Sequence, residues 1–258
     1  MAPVLLSQSQ SKHLIKKLEN AGYQSLQVRS SLIIEFHFKA QDLQVWVDSW
    51  PEFTTVLLIK LLPDEKYIHQ LCYIFSSDEE KLKELLKTPN LILWGHVIFI
   101  ACPIKFKAIL QEFAEIYGCA LTFPNYTFQL HALNRMKSKP WKVPEEVTVS
   151  SLTPDQAEAV FNNWEFSSSE NKEDELKNIK MLIESYPTLC LFNSEGRLIA
   201  YAIGQMYGGM GMLHVEPEYR NRGYGKTVMY LLSQKYSDVG YPAFCLTSPR
   251  KYNFKQNT

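Results

Sequence analysis

The sequence predicts an α/β protein with two domains. Segments with the alternating apolar pattern of strands are interleaved with segments whose apolar residues recur at helical spacing. The length of 258 residues exceeds what one domain of ordinary size needs. Residues 138–146 are polar and carry two prolines, which is typical of a domain boundary. We therefore expect a smaller α/β domain over residues 1–140 and, over residues 145–258, a mixed central sheet flanked by helices.

The composition is that of an ordinary globular protein. Hydrophobic residues make up 46% of the chain, and 27 basic residues balance 27 acidic ones. Because the charges balance, the composition does not indicate binding to nucleic acid or to a membrane surface. The five cysteines are scattered and odd in number, which favours reduced thiols in an intracellular protein and no metal site. The longest apolar run, residues 91–102, is too short to cross a bilayer.

The first domain is predicted to alternate strands and helices. Helical spacing predicts a helix over Lys12–Leu18, a second one capped by Ser77 and Asp78, and a third from Pro103 to Gly118. Four strand regions are predicted here: 32–38, 45–59 divided by a proline, 94–100 and 128–133.

The second domain is predicted to begin with a strand and two helices. A capping box at Thr153–Gln156 starts the first helix, and Asn193–Gly196 has the composition of a hairpin turn. In chain order, the expected elements are a strand at 147–149, helices at 157–164 and 176–186, strands at 188–192, 198–203 and 210–215, a helix from 224 to 240, and a strand at 243–246.

A basic, glycine-bearing loop between the 210–215 strand and the next helix is the strongest functional signal. Gly223 and Gly225 leave the backbone bare where a ligand must approach closely. The loop amides and the helix N-terminus can point together at phosphate oxygens, and Arg220, Arg222 and Lys226 add positive charge. This pattern indicates a pyrophosphate site, and the alternative is a basic surface turn before an amphipathic helix.

Two other phosphate-binding motifs do not fit the loop. A nucleotide-hydrolysing P-loop needs a glycine five positions before Gly225, and Arg220 stands there. A dinucleotide fingerprint needs three glycines, and the loop has two. What remains is an Arg-x-x-Gly-x-Gly pattern after a strand.

This pattern, with its lead-in at Pro217–Arg220, resembles the acyl-coenzyme A loop of the GNAT acyltransferase superfamily. The predicted order of elements around the loop is similar to the GNAT fold. A narrower resemblance, to the glycine N-acyltransferase-like family, covers most of the chain. It depends on residues 47–53, 186–190 and 194–196 and on the same lead-in. The family implies an enzyme that transfers an acyl group from coenzyme A to the amine of glycine or another small amino acid.

The resemblance also implies where the co-substrate binds. The amides around Leu213–Val215 would hold the pantetheine arm and the thioester carbonyl, and the loop would hold the pyrophosphate. The residues implied in binding acyl-CoA are Leu213, His214, Val215, Arg220, Asn221, Arg222, Gly223, Tyr224, Gly225 and Lys226. No metal is implied. Leu213 and Val215 can equally be sheet core, since the contacts would be made by the main chain.

The identity of the catalytic base departs from the family pattern. Family members often carry a glutamate a few residues before the lead-in, and alignment on the lead-in puts Gly209 at that position. His214 and Glu216 are the nearby substitutes, because attack on a thioester requires a neutral amine. The competing interpretations are a polar residue at a strand edge for His214 and a solvated turn residue for Glu216.

The C-terminal end is the second departure. After Leu246 only a short polar tail remains, so we expect the end of the GNAT fold to be truncated and the last strand to be partly uncovered. The alternatives to catalysis are a non-catalytic acyl-CoA-binding or regulatory protein, and a protein-lysine acetyltransferase remains a further alternative. The expected partners are small-molecule substrates, with no nucleic acid and no membrane span. A monomer in mitochondria or cytoplasm is expected.

Overall fold

The computed structural model describes residues 2–37, 43–63, 68–122, 129–132, 143–165, 167 and 169–247. It divides the chain into two compact units, residues 1–128 and residues 129–258. Each unit contains one sheet with its own helices. The predicted α/β class, with a mixed sheet in the second part of the chain, is confirmed.

The first unit is built on a five-stranded sheet in the order β1-β2-β3-β4-β5. Its strands are β1 Val4–Leu5, β2 Leu43–Val47, β3 Thr55–Pro63, β4 Ile68–Ser76 and β5 Val97–Phe99. Its helices are α1 Gln8–Asn20, α2 Leu26–His37, α3 Glu79–Leu86 and α4 Lys107–Ile116. The β4–β5 pair is parallel and the other pairs are antiparallel.

Sequence patterns located most of these elements. Asp78 caps α3 by accepting hydrogen bonds from the amides of Glu80 and Lys81, as its position before an apolar stripe predicts. The 45–59 region forms two antiparallel strands on either side of Pro51. The 94–100 region contains only a short edge strand, β5, after a 3-10 turn at Trp94–His96.

Three elements of this unit were missed or misassigned, and the two-residue strand β1 is one of the missed ones. The strand predicted at 32–38 is wrong for residues 32–37, which belong to α2, and residue 38 lies outside the described residues. Polar and apolar residues alike are buried around α2, Ser30 and Ser31 as well as Leu32 and Ile34, so no helical stripe stands out in the sequence. Strand β4 was not predicted. It pairs on both edges, and residues 71–75 are all buried, so it lacks the alternation of a half-exposed strand.

The second unit is built on a six-stranded sheet in the order β6-β11-β10-β9-β8-β7. Its strands are β6 Gln129–Ala132, β7 Thr148–Ser150, β8 Thr188–Phe192, β9 Leu198–Gly204, β10 Met210–Val215 and β11 Phe244–Thr247. Its helices are α5 Ala157–Asn163, α6 Lys172–Ser185 and α7 Tyr224–Asp238. The β10–β11 pair is parallel and the others are antiparallel. The elements predicted around these positions are confirmed.

Strand β6 belongs to the second sheet, although the sequence placed the 128–133 strand in the first domain. It runs antiparallel to β11, with Phe244 opposite Ala132 and Thr247 opposite Gln129. The predicted boundary at 138–146 is therefore internal to the second unit. The edge of β11 that we expected to be uncovered is paired by a strand that precedes this unit's other elements in the chain.

Helix α7 packs on one face of the sheet, and a glycine lets it approach closely. An added Cβ at Gly204 would lie 2.5 Å from the Tyr236 hydroxyl oxygen, so only glycine fits there. The Tyr236 hydroxyl then donates a buried hydrogen bond of 2.9 Å to the Gly209 carbonyl. This contact fixes the start of β10 against α7. No helix among the described residues combines the length and the apolar character that a membrane crossing requires.

Candidate active site

The two parallel strands β10 and β11 separate soon after they meet. Met210 opposite Cys245 is the register pair recorded between them within the described residues. Strand β10 nevertheless continues to Val215 and β11 to Thr247. Beyond Met210, the main chain of β10 therefore has no ladder partner on this side among the residues that the structure describes. An opening between parallel strands exposes backbone donors and acceptors to a ligand.

A β-bulge shapes the other edge of β10. Gly211 lies opposite Ile203 of β9, but the next pair is His214 with Tyr201, so β10 contains one extra residue. Met212 adopts a positive φ of 49° within this bulge. A bulge turns the following side chains to a new direction. Here it leaves Leu213 exposed and returns His214 to the face that carries Tyr201.

The N-terminus of α7 is built from bare backbone. Gly223 is the N-cap residue at φ 88°, a left-handed conformation that suits glycine, and no side chain caps the helix there. An added Cβ at Gly225 would touch Val215 Cγ2 at 3.4 Å and Leu213 Cδ2 at 3.9 Å. The first turn of α7 thus faces the end of β10, and a larger side chain at position 225 would fill the space between them.

Basic and aromatic side chains surround this bare turn. Arg220 donates from Nε to the Val215 carbonyl at 2.9 Å, which holds the loop against the end of β10. The Arg222 guanidinium lies over the Tyr219 ring at 5.6 Å, a cation–π contact. Arg222 and Lys226 are exposed. Arg220 therefore has a structural contact in addition to its charge, which the sequence did not predict.

One acidic residue also belongs to this loop region. The Tyr224 hydroxyl donates to Glu146 Oε1 at 2.8 Å. Hydrogen bonds from its own backbone amide and from Tyr224 lower the pKa of the Glu146 carboxyl, and Arg222 adds to this effect. Glu146 was not predicted, because a contact across 78 residues of sequence leaves no local signal.

The residues present fit an anionic, phosphate-bearing ligand. Unfilled space at Gly225, the helix N-terminus and the nearby cations are the features that bind pyrophosphate oxygens. The adjoining opening beside β10 can accept an extended chain through main-chain hydrogen bonds. A ligand with a diphosphate joined to an amide-bearing arm matches both parts.

The two candidate base residues lie together at the end of β10. The His214 ring stacks on Tyr201 with 5.5 Å between centroids, and its Nε2 lies 3.5 Å from Glu216 Oε1. Burial raises the pKa of the Tyr201 hydroxyl to about 12, so this hydroxyl stays protonated near neutral pH. The side chain of His214 is 14% exposed. An imidazole held between a ring and a carboxylate, with limited access to solvent, has the surroundings of a proton acceptor.

The position aligned with the family glutamate is closed. A Cβ added to Gly209 would lie 2.5 Å from Tyr207 Cε2 and 2.9 Å from Phe244 Cε2. The rings of Tyr207 and Phe244 pack against each other with centroids 6.2 Å apart. No larger side chain fits at position 209 unless these rings move.

A parallel pair that diverges before a bare, basic helix N-terminus is the arrangement that the resemblance to the GNAT superfamily implies. A sequence profile of the GNAT acetyltransferase family matches residues 152–253. A second profile, described as aralkyl acyl-CoA:amino acid N-acyltransferase, matches residues 3–187, which is most of the chain. The chain belongs to this second family, and the expected membership is confirmed.

Named relatives agree with this assignment. The chain is 25% identical to glycine N-acyltransferase from Bos taurus, over 92% of this chain and 86% of the relative. It is 27% identical to the Homo sapiens enzyme of the same name, over 90% and 84%. A crystal structure of a Drosophila protein from a structural genomics consortium superposes with a TM-score of 0.67 at 18% identity, over 95% of this chain and 89% of the other. This last likeness shows the fold.

Proposed function

We propose that this chain transfers an acyl group from a coenzyme A thioester to the amine of glycine or of another small amino acid. The observation that carries the proposal is the opening between β10 and β11, which leads to the bare N-terminus of α7. Family membership supports the same activity. Acyl-CoA is the co-substrate, and the reaction needs no metal.

The binding residues divide into two groups. Main-chain groups of Leu213, His214 and Val215 hold the pantetheine arm and the thioester carbonyl. The loop of Asn221, Arg222, Gly223, Tyr224, Gly225 and Lys226, held in place by Arg220, binds the diphosphate. Backbone amides suit the carbonyl because they also stabilise the negative charge that develops on its oxygen.

The chemistry is a direct acyl transfer. The lone pair of the neutral acceptor amine attacks the thioester carbonyl carbon, a C–N bond forms and the C–S bond breaks. Coenzyme A leaves as a thiolate, which takes up the second proton that the nitrogen loses as the amide forms. The attacking ammonium must lose a proton first, since its nitrogen has no free electron pair. We assign that proton to His214, with Glu216 stabilising the imidazolium from 3.5 Å. Gly209 cannot take this role.

The test is product formation from purified protein. We expect mass spectrometry to detect N-acyl product, with release of free thiol, when acyl-CoA is supplied with glycine or glutamine. The double variant Arg222→Glu/Gly225→Glu fills the space before α7 and reverses a charge, so coenzyme A binding and turnover should both be lost. The matched control Lys180→Glu/Gly95→Glu makes the same changes at exposed positions and should keep both. Absence of product with both amino acids contradicts the proposal.

A second candidate function is a non-catalytic acyl-CoA-binding protein. The packing of Tyr207 and Phe244 over Gly209 favours it, because the family's acidic side chain has no space there. Tight binding of coenzyme A by calorimetry without turnover of any amine, including a lysine peptide, would support this function over catalysis. We further propose a monomer that acts in mitochondria or cytoplasm.

A further inference from the structure

The hairpin turn between β8 and β9 is fixed to the segment that follows β10. The Asn193 side-chain oxygen accepts hydrogen bonds from the amides of Glu195 and Arg197, at 3.0 and 2.9 Å. The Asn193 side-chain nitrogen Nδ2 donates to the Tyr219 hydroxyl at 3.0 Å. Gly196 supplies the left-handed turn conformation, with φ at 77°. Arg197 is therefore presented from an ordered turn toward the residues after β10.

Arg197 contacts two carboxylates of that segment. Its Nη1 lies 2.6 Å from Glu218 Oε1, and its Nη2 lies 3.5 Å from Glu216 Oε2. The other oxygen of Glu216, Oε1, lies 3.5 Å from His214 Nε2. Glu216 thus has one oxygen toward the guanidinium and the other toward the imidazole. The order of contacts is Arg197, Glu216, His214.

The local charges indicate why Arg197 matters. Two carboxylates, Glu216 and Glu218, contact the same guanidinium, and like charges gathered at one place repel each other without a cation between them. The planar guanidinium can hold both at once in a fixed geometry. Glu216 is mostly buried, with 22% of its side chain exposed, whereas Arg197 is 54% exposed. Exposed ion pairs contribute little to folding stability. We therefore expect the main effect of the Arg197–Glu216 pair to be on the orientation of the Glu216 side chain.

We propose that Arg197 is a positioning residue, which holds Glu216 in the orientation that faces the His214 imidazole. The inference rests on the proposed role of His214 as the base. In this role Arg197 acts through Glu216, which it contacts, and not on the substrate. It connects the β8–β9 turn to the proton acceptor at the end of β10.

The test is Arg197→Met, assayed for kcat and KM across pH and compared with Arg197→Lys. We expect kcat to fall about tenfold while KM for acyl-CoA stays within about twofold, with partial recovery in the lysine variant. The matched control is Lys177→Met, since Lys177 also contacts two carboxylates, Glu173 at 3.2 Å and Asp174 at 3.7 Å, on the exposed face of α6. This control should leave kcat unchanged.

A double-mutant cycle separates positioning from a general effect. If Arg197 acts through Glu216, Arg197→Met should cost nothing further in a Glu216→Gln background. Losses that multiply in the double variant would overturn the proposal, as would full activity of Arg197→Met. An NMR titration of the His214 imidazole gives a readout that needs no turnover. Its midpoint should move in Arg197→Met and not in Lys177→Met, and an unchanged midpoint would also overturn the proposal.

The same data distinguish this proposal from the function it rests on. Full activity of His214→Ala would remove the assigned base, and with it the reason for positioning Glu216. The wild-type protein could show no turnover while Arg197→Met still moves the His214 midpoint. That result would support the Arg197–Glu216–His214 contacts and refute their catalytic role.

Discussion

Gly209 illustrates how one residue's surroundings decide its chemistry. Its carbonyl accepts from Tyr236, and the rings of Tyr207 and Phe244 occupy the space of a side chain. From the sequence alone, the substitution Gly209→Glu should restore the carboxylate that the family pattern has at this position. The packing shows instead that Tyr207 and Phe244 fill the space that a glutamate side chain needs.

We therefore predict that Gly209→Glu destabilises the protein and does not raise its activity. Overpacking of this kind costs about 1–3 kcal/mol, seen as a lower midpoint in thermal or urea unfolding. Adding Tyr207→Ala should recover part of the loss, because it removes the nearer ring. Gly95→Glu is the control, since nothing lies within 4 Å of a Cβ there. A Gly209→Glu variant as stable as the control would contradict the prediction.

Glu146 gives a second prediction at this scale. Its carboxylate lies beside the cationic loop, so it opposes an incoming diphosphate. We expect Glu146→Gln to bind coenzyme A about two- to fivefold more tightly at low salt, with the gain shrinking as salt rises. Tyr224→Phe removes the same hydrogen bond but keeps the charge, so it should show no gain. Glu145→Gln controls for charge loss alone, and calorimetry measures all three. Equal affinities for Glu146→Gln and wild type would refute the idea.

At the scale of elements, strand β6 has the largest consequence. It adds four residues of antiparallel ladder to β11, which otherwise pairs with β10 at a single register position in the described part of the chain. Short strands that lose a partner on one edge fray or pair with other chains. The stability of β11, and so the width of the opening beside β10, depends on β6.

Proline substitutions in β6 test this dependence. Neighbouring residues of an antiparallel pair alternate between hydrogen-bonded and non-hydrogen-bonded positions. One of Leu130→Pro and His131→Pro should therefore remove a ladder hydrogen bond, weaken coenzyme A binding and increase aggregation, and the other should do less. Size-exclusion chromatography and calorimetry compare the two. Two variants that both behave as wild type would show that β6 is dispensable.

The elements also show what the sequence can and cannot predict. Capping residues and amphipathic stripes located α3, α5 and α7, because these signals are local. Helix α2 and strand β4 could not be predicted, because burial on all sides removes the apolar periodicity by which helices and strands are located in a sequence. The partner of β6 could not be predicted either, because pairing between distant segments is set by the whole sheet.

At the scale of the molecule, the site's backbone frame was predictable and its side-chain partners were not. The loop at 220–226 follows from glycine spacing and charge. Arg197 and Glu146 join the site from other turns and connections, so only the fold brings them near it. Tyr207 is close to Gly209 in the sequence, but its packing with Phe244 over Gly209 depends on the fold. Every residue of the candidate site lies in the second unit, between residues 129 and 258. That placement has a measurable consequence for ligand-induced stability.

Hydrogen exchange with and without coenzyme A should show protection confined to the second unit. We expect slower exchange over residues 210–227, whose amides meet the ligand, and unchanged exchange in the β3–β4 pair of the first unit. At a ligand concentration about 100 times Kd, binding stabilises the folded state by about 2.7 kcal/mol, which is enough to slow opening measurably. The Arg222→Glu/Gly225→Glu variant should show no protection in either unit. Protection in β3–β4 that matches residues 210–227 would contradict a site contained in the second unit, because a ligand there stabilises first the amides that it contacts.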